Sequence, residues 1–299
     1  MAIYPIFPGG KRRAFTVSYD DAWPEDRPLI ELMNKYGIKG TFNLNSGENK
    51  FTDIPDPVEL YKGYEVAVHG LTHAYFDRVA PATATYEIIK DRENLERVFG
   101  GSIRGLAYPY TAYNSATPEI LRSCGIAYAR TANCTGKLTM PSDWYLWHPT
   151  CDHRDKNMAV YCERFLSTLP SFNQCALFFV YGHSFELTRD GHWPKIEELF
   201  KTVGGRDDVW YATNIEICDY IAAYKQLIMS VDGNYIYNPT MTTLSLIYSD
   251  RDFINSGITL ELKPGEHIYL DAPAHKGANG KKRARSPSDR FEAKGLFFQ

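Results

Sequence analysis

The stretch RAFTVSYDDAWPEDRPLIELMNKYGIKGTFNLN (13–45) decides the fold. It opens on one apolar run, AFTVS (14–18), and closes on another, GTFNL (40–44). Between them lies an amphipathic segment, EDRPLIELMNKYG, with apolar residues at three-to-four spacing. It runs through Gly37 straight into the second run. A short apolar run bounded by polar residues suits a buried strand, three-to-four spacing puts a single stripe on a helix, and glycine ends helices. Strand, helix and strand in that order make a βαβ unit, whose strands are parallel.

The same rhythm extends outward to about Leu227. Further candidate strands are YEVAV (64–68), RGLAY (104–108), IAYAR (126–130), ALFFVY (176–181) and VWYAT (209–213), separated by helix-like segments such as ATYEIIKDRENLERVFG and WPKIEELFKTVG. Thr117-Pro118-Glu119 starts a helix with proline at its first position. Seven strands alternating with helices predict an α/β fold: a distorted (β/α)7 barrel, with an open doubly wound sheet as the alternative. In a barrel the chemistry gathers at the C-terminal ends of the strands. After Leu227 the pattern turns strand-like, with a KPGE turn. The reading therefore divides the chain into a catalytic domain over 1–229, a small β-rich appendage over 230–272 and a disordered basic tail over 273–299.

Composition narrows the classes. With 44% hydrophobic and 14% aromatic residues in 299, the chain folds and has ample core. The net charge of -3 gives no prior for a nucleic-acid partner, although the tail from Lys276 carries seven basic residues against Asp289 and Glu292. No run approaches a membrane span and the N-terminus lacks the order of a secretory signal. Six cysteines show neither a C-x-x-C pair nor a framework spacing, so reduced thiols and a cytoplasmic location are expected. A homo-oligomer is compatible with the sequence.

The polar residues just past the strand ends are expected to converge: Asp20 and Asp21, Asn43 and Asn45, His69 and His73, Pro109 and Tyr110, Arg130, His183 and Asn214. Adjacent carboxylates at a strand end point in different directions, so one can bind a metal while the other acts as a base; a solvated turn is the plainer alternative. His69-Gly-Leu-Thr-His73 can present two imidazoles to one ion, with Gly70 permitting the sharp turn, though lone pairs at this spacing also arise by coincidence. Two histidines and a carboxylate with open positions suit Zn²⁺ or another divalent ion. His183 is either a hydrogen-bonded core histidine or a proton donor to a leaving group. A second cluster, HPTCDHRD (148–155), reads as a rim loop touching substrate together with Trp147 rather than as a second metal site. Tyr108, Tyr110, Tyr113, Trp144, Trp147 and Trp193 suit either stacking on a ligand or ordinary packing.

On these residues the chain resembles the polysaccharide deacetylases of the NodB-homology type (carbohydrate esterase family 4). SYDD stands for the family's T-F-D-D, HGLTH for H-S/T-x-x-H, AYPY for R-x-P-Y, PSDWYLW for an Asp-Trp motif, and VYGH for the final histidine motif. The resemblance covers about residues 12–226 and implies a distorted β/α barrel. It also implies Asp21, His69 and His73 as ligands of a divalent metal, zinc first with cobalt, nickel, manganese or iron next. It implies Asp20 as general base, His183 as general acid, the Tyr110 backbone amide at the oxyanion, and Pro109, Asp143 and Trp144 lining the substrate pocket. Three departures are visible: Ala22 replaces a glycine, Gly70 replaces a hydroxyl residue, and Ala107 replaces the arginine that orients the base. Arg104 points to the wrong face of its strand, and Arg130, closing the next strand, is the candidate substitute; either the base is held differently or the chain is a divergent branch with a different substrate. The expected reaction is removal of an N-acetyl or O-acetyl group from an oligo- or polysaccharide. The alternatives are metal-independent hydrolysis of cyclic amides or ureides and non-catalytic carbohydrate binding.

Overall fold

The computed structural model describes residues 2–47, 54–168, 170, 174–249 and 258–270. Two compact units emerge, one of Lys11–Pro170 with Cys175–Asp219, the other built from Met1–Gly10, Ser171–Gln174 and Tyr220–Gln299. The sequence-based boundary at 229/230 and this division at 219/220 differ by ten residues, and the segment 273–299 lies outside the described residues.

The first unit is the β/α body. Its strands are β1 (Arg13–Asp20), β2 (Gly40–Leu44), β3 (Glu65–Val68), β4 (Gly105–Ala107), β5 (Tyr128–Arg130), β6 (Cys151–Asp152), β7 (Ala176–Gly182) and β8 (Val209–Tyr211). All pair in parallel, in the order β5-β4-β3-β2-β1-β7-β6, and β8 pairs with the start of β1 at Arg13–Phe15. Every residue of β1 and β2 is buried, as a parallel sheet covered on both faces requires. Phe15 packs 5.4 Å from Phe178 of β7 at the centre of the core. Helix α1 (Asp26–Tyr36) turns Leu29, Ile30 and Met33 inward, and Ile196, Leu199, Phe200 and Val203 do the same in the helix Trp193–Val203.

The chain before β6 closes the curl. Trp147 N–H donates to Ala129 O and its carbonyl accepts from Thr131 N–H, while Thr150 N–H donates to Phe179 O. One segment, 147–152, thus joins the β5 edge to the β7 edge, and the body is the distorted barrel rather than an open sheet. This segment is the one departure from the seven strands read in the sequence. HPTCDHRD is not a rim loop: Cys151 is buried in β6, and Trp147 is 1% exposed against Tyr128 and Phe179. A two-residue polar strand carries no periodicity, which is why the pattern passed it over.

The second unit holds two three-stranded antiparallel sheets. Ala2–Ile6 pairs with Leu244–Ser249, which pairs with Ile258–Leu262; the other sheet joins Ile228–Met229, Tyr235–Tyr237 and His267–Tyr269. KPGE therefore passes the chain from one sheet to the other instead of folding a hairpin. Among the described residues no helix is long and apolar enough to cross a membrane.

Candidate active site

The barrel brings Asp20, Asp21, His69, His73, Tyr110, Arg130 and His183 to one cavity of about 390 Å³ at the C-terminal ends of the strands. The turns that carry them are strained. Six non-glycine residues among those described have left-handed backbone, and five of them are Asp21, Ala22, His73, Tyr110 and Thr111. Such conformations persist only where the surroundings hold them, and they gather at functional sites.

Asp20 ends β1. Its Oδ1 accepts from Arg130 Nη2 and, at 2.8 Å, from Asn43 Nδ2. Burial alone would raise this carboxyl; the charge of Arg130, with His69 and His183, reverses the shift and holds it at about 2. Arg130 is 1% exposed and lies over the Tyr181 ring at 4.9 Å. Arg104 faces away and pairs with Asp219 at 2.5 Å. A guanidinium, absent at Ala107, therefore reaches Asp20 from the next strand.

Asp21 turns the other way. Its Oδ1 lies 3.5 Å from His69 Nε2 and 3.6 Å from His73 Nε2, and the two Nε2 atoms are 3.2 Å apart. His69 Nδ1 donates to Ala107 O at 2.8 Å, which leaves Nε2 with its lone pair facing the cluster. Burial holds the His69 pKa below its ordinary value, against the pull of Asp20 and Asp21. Asp21 Oδ1 is buried without a hydrogen-bond partner. Three acceptor atoms at these separations match the edges of a site whose ligands lie about 2.1 Å from one ion. The three residues fit a divalent cation.

The histidine loop is braced from behind. Gly70, at φ 80°, makes the turn. Helix α2 (Pro81–Phe99) presents Glu87 and Asp91, one turn apart on one face. Asp91 Oδ2 accepts from His69 N–H at 3.0 Å, and Glu87 accepts from Thr72 N–H and Thr72 Oγ1, both at 2.8 Å. Asn45 Nδ2 donates to His69 O. The hydroxyl missing at Gly70 is thus replaced by that of Thr72.

His183 caps helix α3 (Ser184–Arg189) beyond β7. Its Nε2 stands 3.7 Å from Asp21 Oδ2 and 3.9 Å from Asp20 Oδ2, and its Nδ1 lies 3.4 Å from Glu186 Oε2. Glu186 is 4% exposed and is flanked by Arg154 Nη1 at 2.5 Å and His153 Nε2 at 3.4 Å. Although burial opposes it, these partners keep the Glu186 carboxyl well below the usual range. Burial lowers the His183 pKa, but Glu186 and the two aspartates outweigh it and raise the value overall. Gly182 is required by the close approach of His153, whose Nδ1 would lie 2.2 Å from a Cβ there.

Other predicted residues lie elsewhere. Pro109, Asp143 and Trp144 do not line the cavity. Asp143 accepts from Tyr145 N–H at the start of a short 3₁₀ turn, and Trp144 packs 4.8 Å from Trp147. Asn214 accepts from Thr16 Oγ1 within the barrel. His148 pairs with Thr131; Asp152, His153 and Glu186 lie close enough together to hold an ion, and Arg154 pairs with both carboxylates of that group. The reading missed Trp23, Tyr181 and Phe185 in the wall, and Glu186 behind it. Trp23 and Phe185 each follow a singled-out residue by two positions, which was the available signal.

Residues 9–129 match the sequence profile of the polysaccharide deacetylase family. Over this stretch, about two fifths of its length, the chain is similar to that family. No curated protein matches the chain. Among solved structures it is similar to a provisionally named polysaccharide deacetylase from Mycobacterium smegmatis, 19% identical, covering 74% of this chain and 94% of that one with a TM-score of 0.55. A mutant of the peptidoglycan deacetylase PdaC from Bacillus subtilis is 16% identical over 74% of this chain and 96% of its own, at a TM-score of 0.49. A carbohydrate esterase family 4 pseudoenzyme from Bacillus anthracis is 17% identical over 72% and 68%, at 0.46. The first of these likenesses supports the fold; deacetylation in general is what the family profile supports.

Proposed function

We propose that the protein is a metal-dependent hydrolase that removes an N-acetyl or O-acetyl group from a saccharide. The observation that carries this reading is the convergence of Asp21, His69 and His73 between the Asp20–Arg130 pair and His183. A divalent ion bound by Asp21, His69 and His73, zinc first, would polarise the acetyl carbonyl and acidify a water molecule.

The chain's own groups supply the proton transfers. Asp20, ionised across the working range and held at Oδ1, takes the proton of the attacking water on Oδ2. The backbone amide of Tyr110 faces the developing oxyanion in this scheme. His183 donates from Nε2 to the departing amine or alkoxide, with Nδ1 directed to Glu186. Trp23, Tyr108, Tyr181 and Phe185 narrow the cavity and exclude bulk water. Acetate and the deacetylated saccharide leave. The substrate in this reading is an acetylated oligo- or polysaccharide.

Arg130 weakens the case for a purely binding module, because the base is oriented despite Ala107. Asp20→Asn tests the assignment: acetate release should fall at least about 10²-fold while the protein still takes up one equivalent of metal. Unchanged turnover would remove Asp20 from the mechanism.

A further inference from the structure

A ladder of flat groups runs along the cavity rim. The Arg78 guanidinium lies 4.1 Å over the Tyr75 ring, which stacks on Tyr110 at 4.0 Å with 6° between the planes. The Tyr110 ring meets His73 at 4.3 Å, edge to face, and His73 meets His69 at 4.8 Å. The ladder ties the loop after β3 to the loop after β4. The residues it joins across that gap, His73 and Tyr110, both have left-handed backbone, at φ 57° and 53°.

Exposure shows what holds these rings. His69 is 2% exposed and fixed through Nδ1. Tyr110, by contrast, is 58% exposed, and the parallel stack on Tyr75 is a contact that holds its ring. Stacking on sugar needs an unoccupied ring face. Tyr110 and Arg78 both lie over the Tyr75 ring, and Tyr110 contacts both Tyr75 and His73.

We propose that Tyr75 is a positioning residue: through Tyr110 it fixes the imidazole of His73 and the turn whose amide faces the oxyanion. This inference rests on the metal reading above. Aromatic pairs of this kind contribute modestly, so losing the ring should weaken the site rather than abolish it.

The test compares metal-stripped wild type, Tyr75→Phe and Tyr75→Leu, titrated calorimetrically with Zn²⁺. Co²⁺ absorption spectra and kcat and KM on an acetylated oligosaccharide complete the set. Tyr75→Phe keeps the ring and should match wild type in every readout. Tyr75→Leu should bind Zn²⁺ roughly tenfold more weakly, shift the Co²⁺ spectrum and lower kcat at saturating metal with KM nearly unchanged. Tyr75→Met fills the space without a ring and repeats the comparison if the leucine variant does not fold. Wild-type metal affinity and an unaltered Co²⁺ spectrum in the ringless variant would overturn the role assigned to Tyr75. So would a raised KM with metal binding intact, which would make Tyr75 a sugar contact. A wild type that takes up neither ion would overturn the metal reading itself, and this role with it.

Discussion

Asp20 holds a negative charge almost out of contact with water, and Arg130 is the main group that makes this tolerable. Removing one partner of a buried pair leaves the other uncompensated, which costs about 3–5 kcal/mol. Arg130→Met should therefore lose stability on that scale in urea denaturation. Asp20→Asn with Arg130→Met should lose less than the sum of the two single changes, with a coupling of about 1–3 kcal/mol. Additive losses would show that the two side chains do not act as a pair. Much of this was legible in the sequence. Arg130 ends a strand next to that of Ala107, and parallel strands in register bring their ends together. The contact between Arg130 and Asp20 was not legible in detail, because it spans 110 positions and depends on how far the sheet curls.

Among the elements, helix α3 is the least obvious contributor. Its first turn returns Glu186 to the backbone and ring of His183, and the turn just after β6 supplies His153 and Arg154 to hold that carboxylate. Glu186→Gln should lower kcat about tenfold, since a misdirected His183 donates poorly, while Zn²⁺ affinity stays within about twofold. A parallel loss of metal affinity would mean that Glu186 supports the ligand cluster instead. Asp143→Asn should leave kcat/KM within about twofold, because its carboxylate caps a turn outside the cavity. The Glu186 contact spans only three positions, yet any helix start places an acid there to cap its own backbone. Only the neighbouring β6 distinguishes the two uses, and β6 had no pattern to read.

For the whole barrel, the regular alternation of apolar strands and amphipathic helices made the architecture readable, and the short closing segment did not contribute to that signal. One polar contact also ties the closed body together. Glu65 of β3 is buried, and accepts from Thr41 Oγ1, Tyr128 Oη and Ile215 N–H, each at 2.8 Å. Burial raises its pKa to about 7. A carboxyl with a folded-state value above its unfolded one favours the fold in its protonated form. Its contribution is full below about pH 4.5 and is lost as pH rises through about 7. Glu65→Gln should therefore flatten the decline in stability across that window, by about 3 kcal/mol at pH 8. An unchanged pH profile of denaturation midpoints would place the ionised form comfortably in the core.

The central claim concerns the metal cluster, and acetate release tests it most directly. Protein stripped with a chelator and refilled with Zn²⁺ or Co²⁺ is assayed on a panel of N- and O-acetylated oligosaccharides. The account predicts that release vanishes on stripping, returns on refilling, and does not return in His69→Ala or His73→Ala. Release that persists in fully stripped protein would contradict it and point to metal-independent hydrolysis on the same barrel.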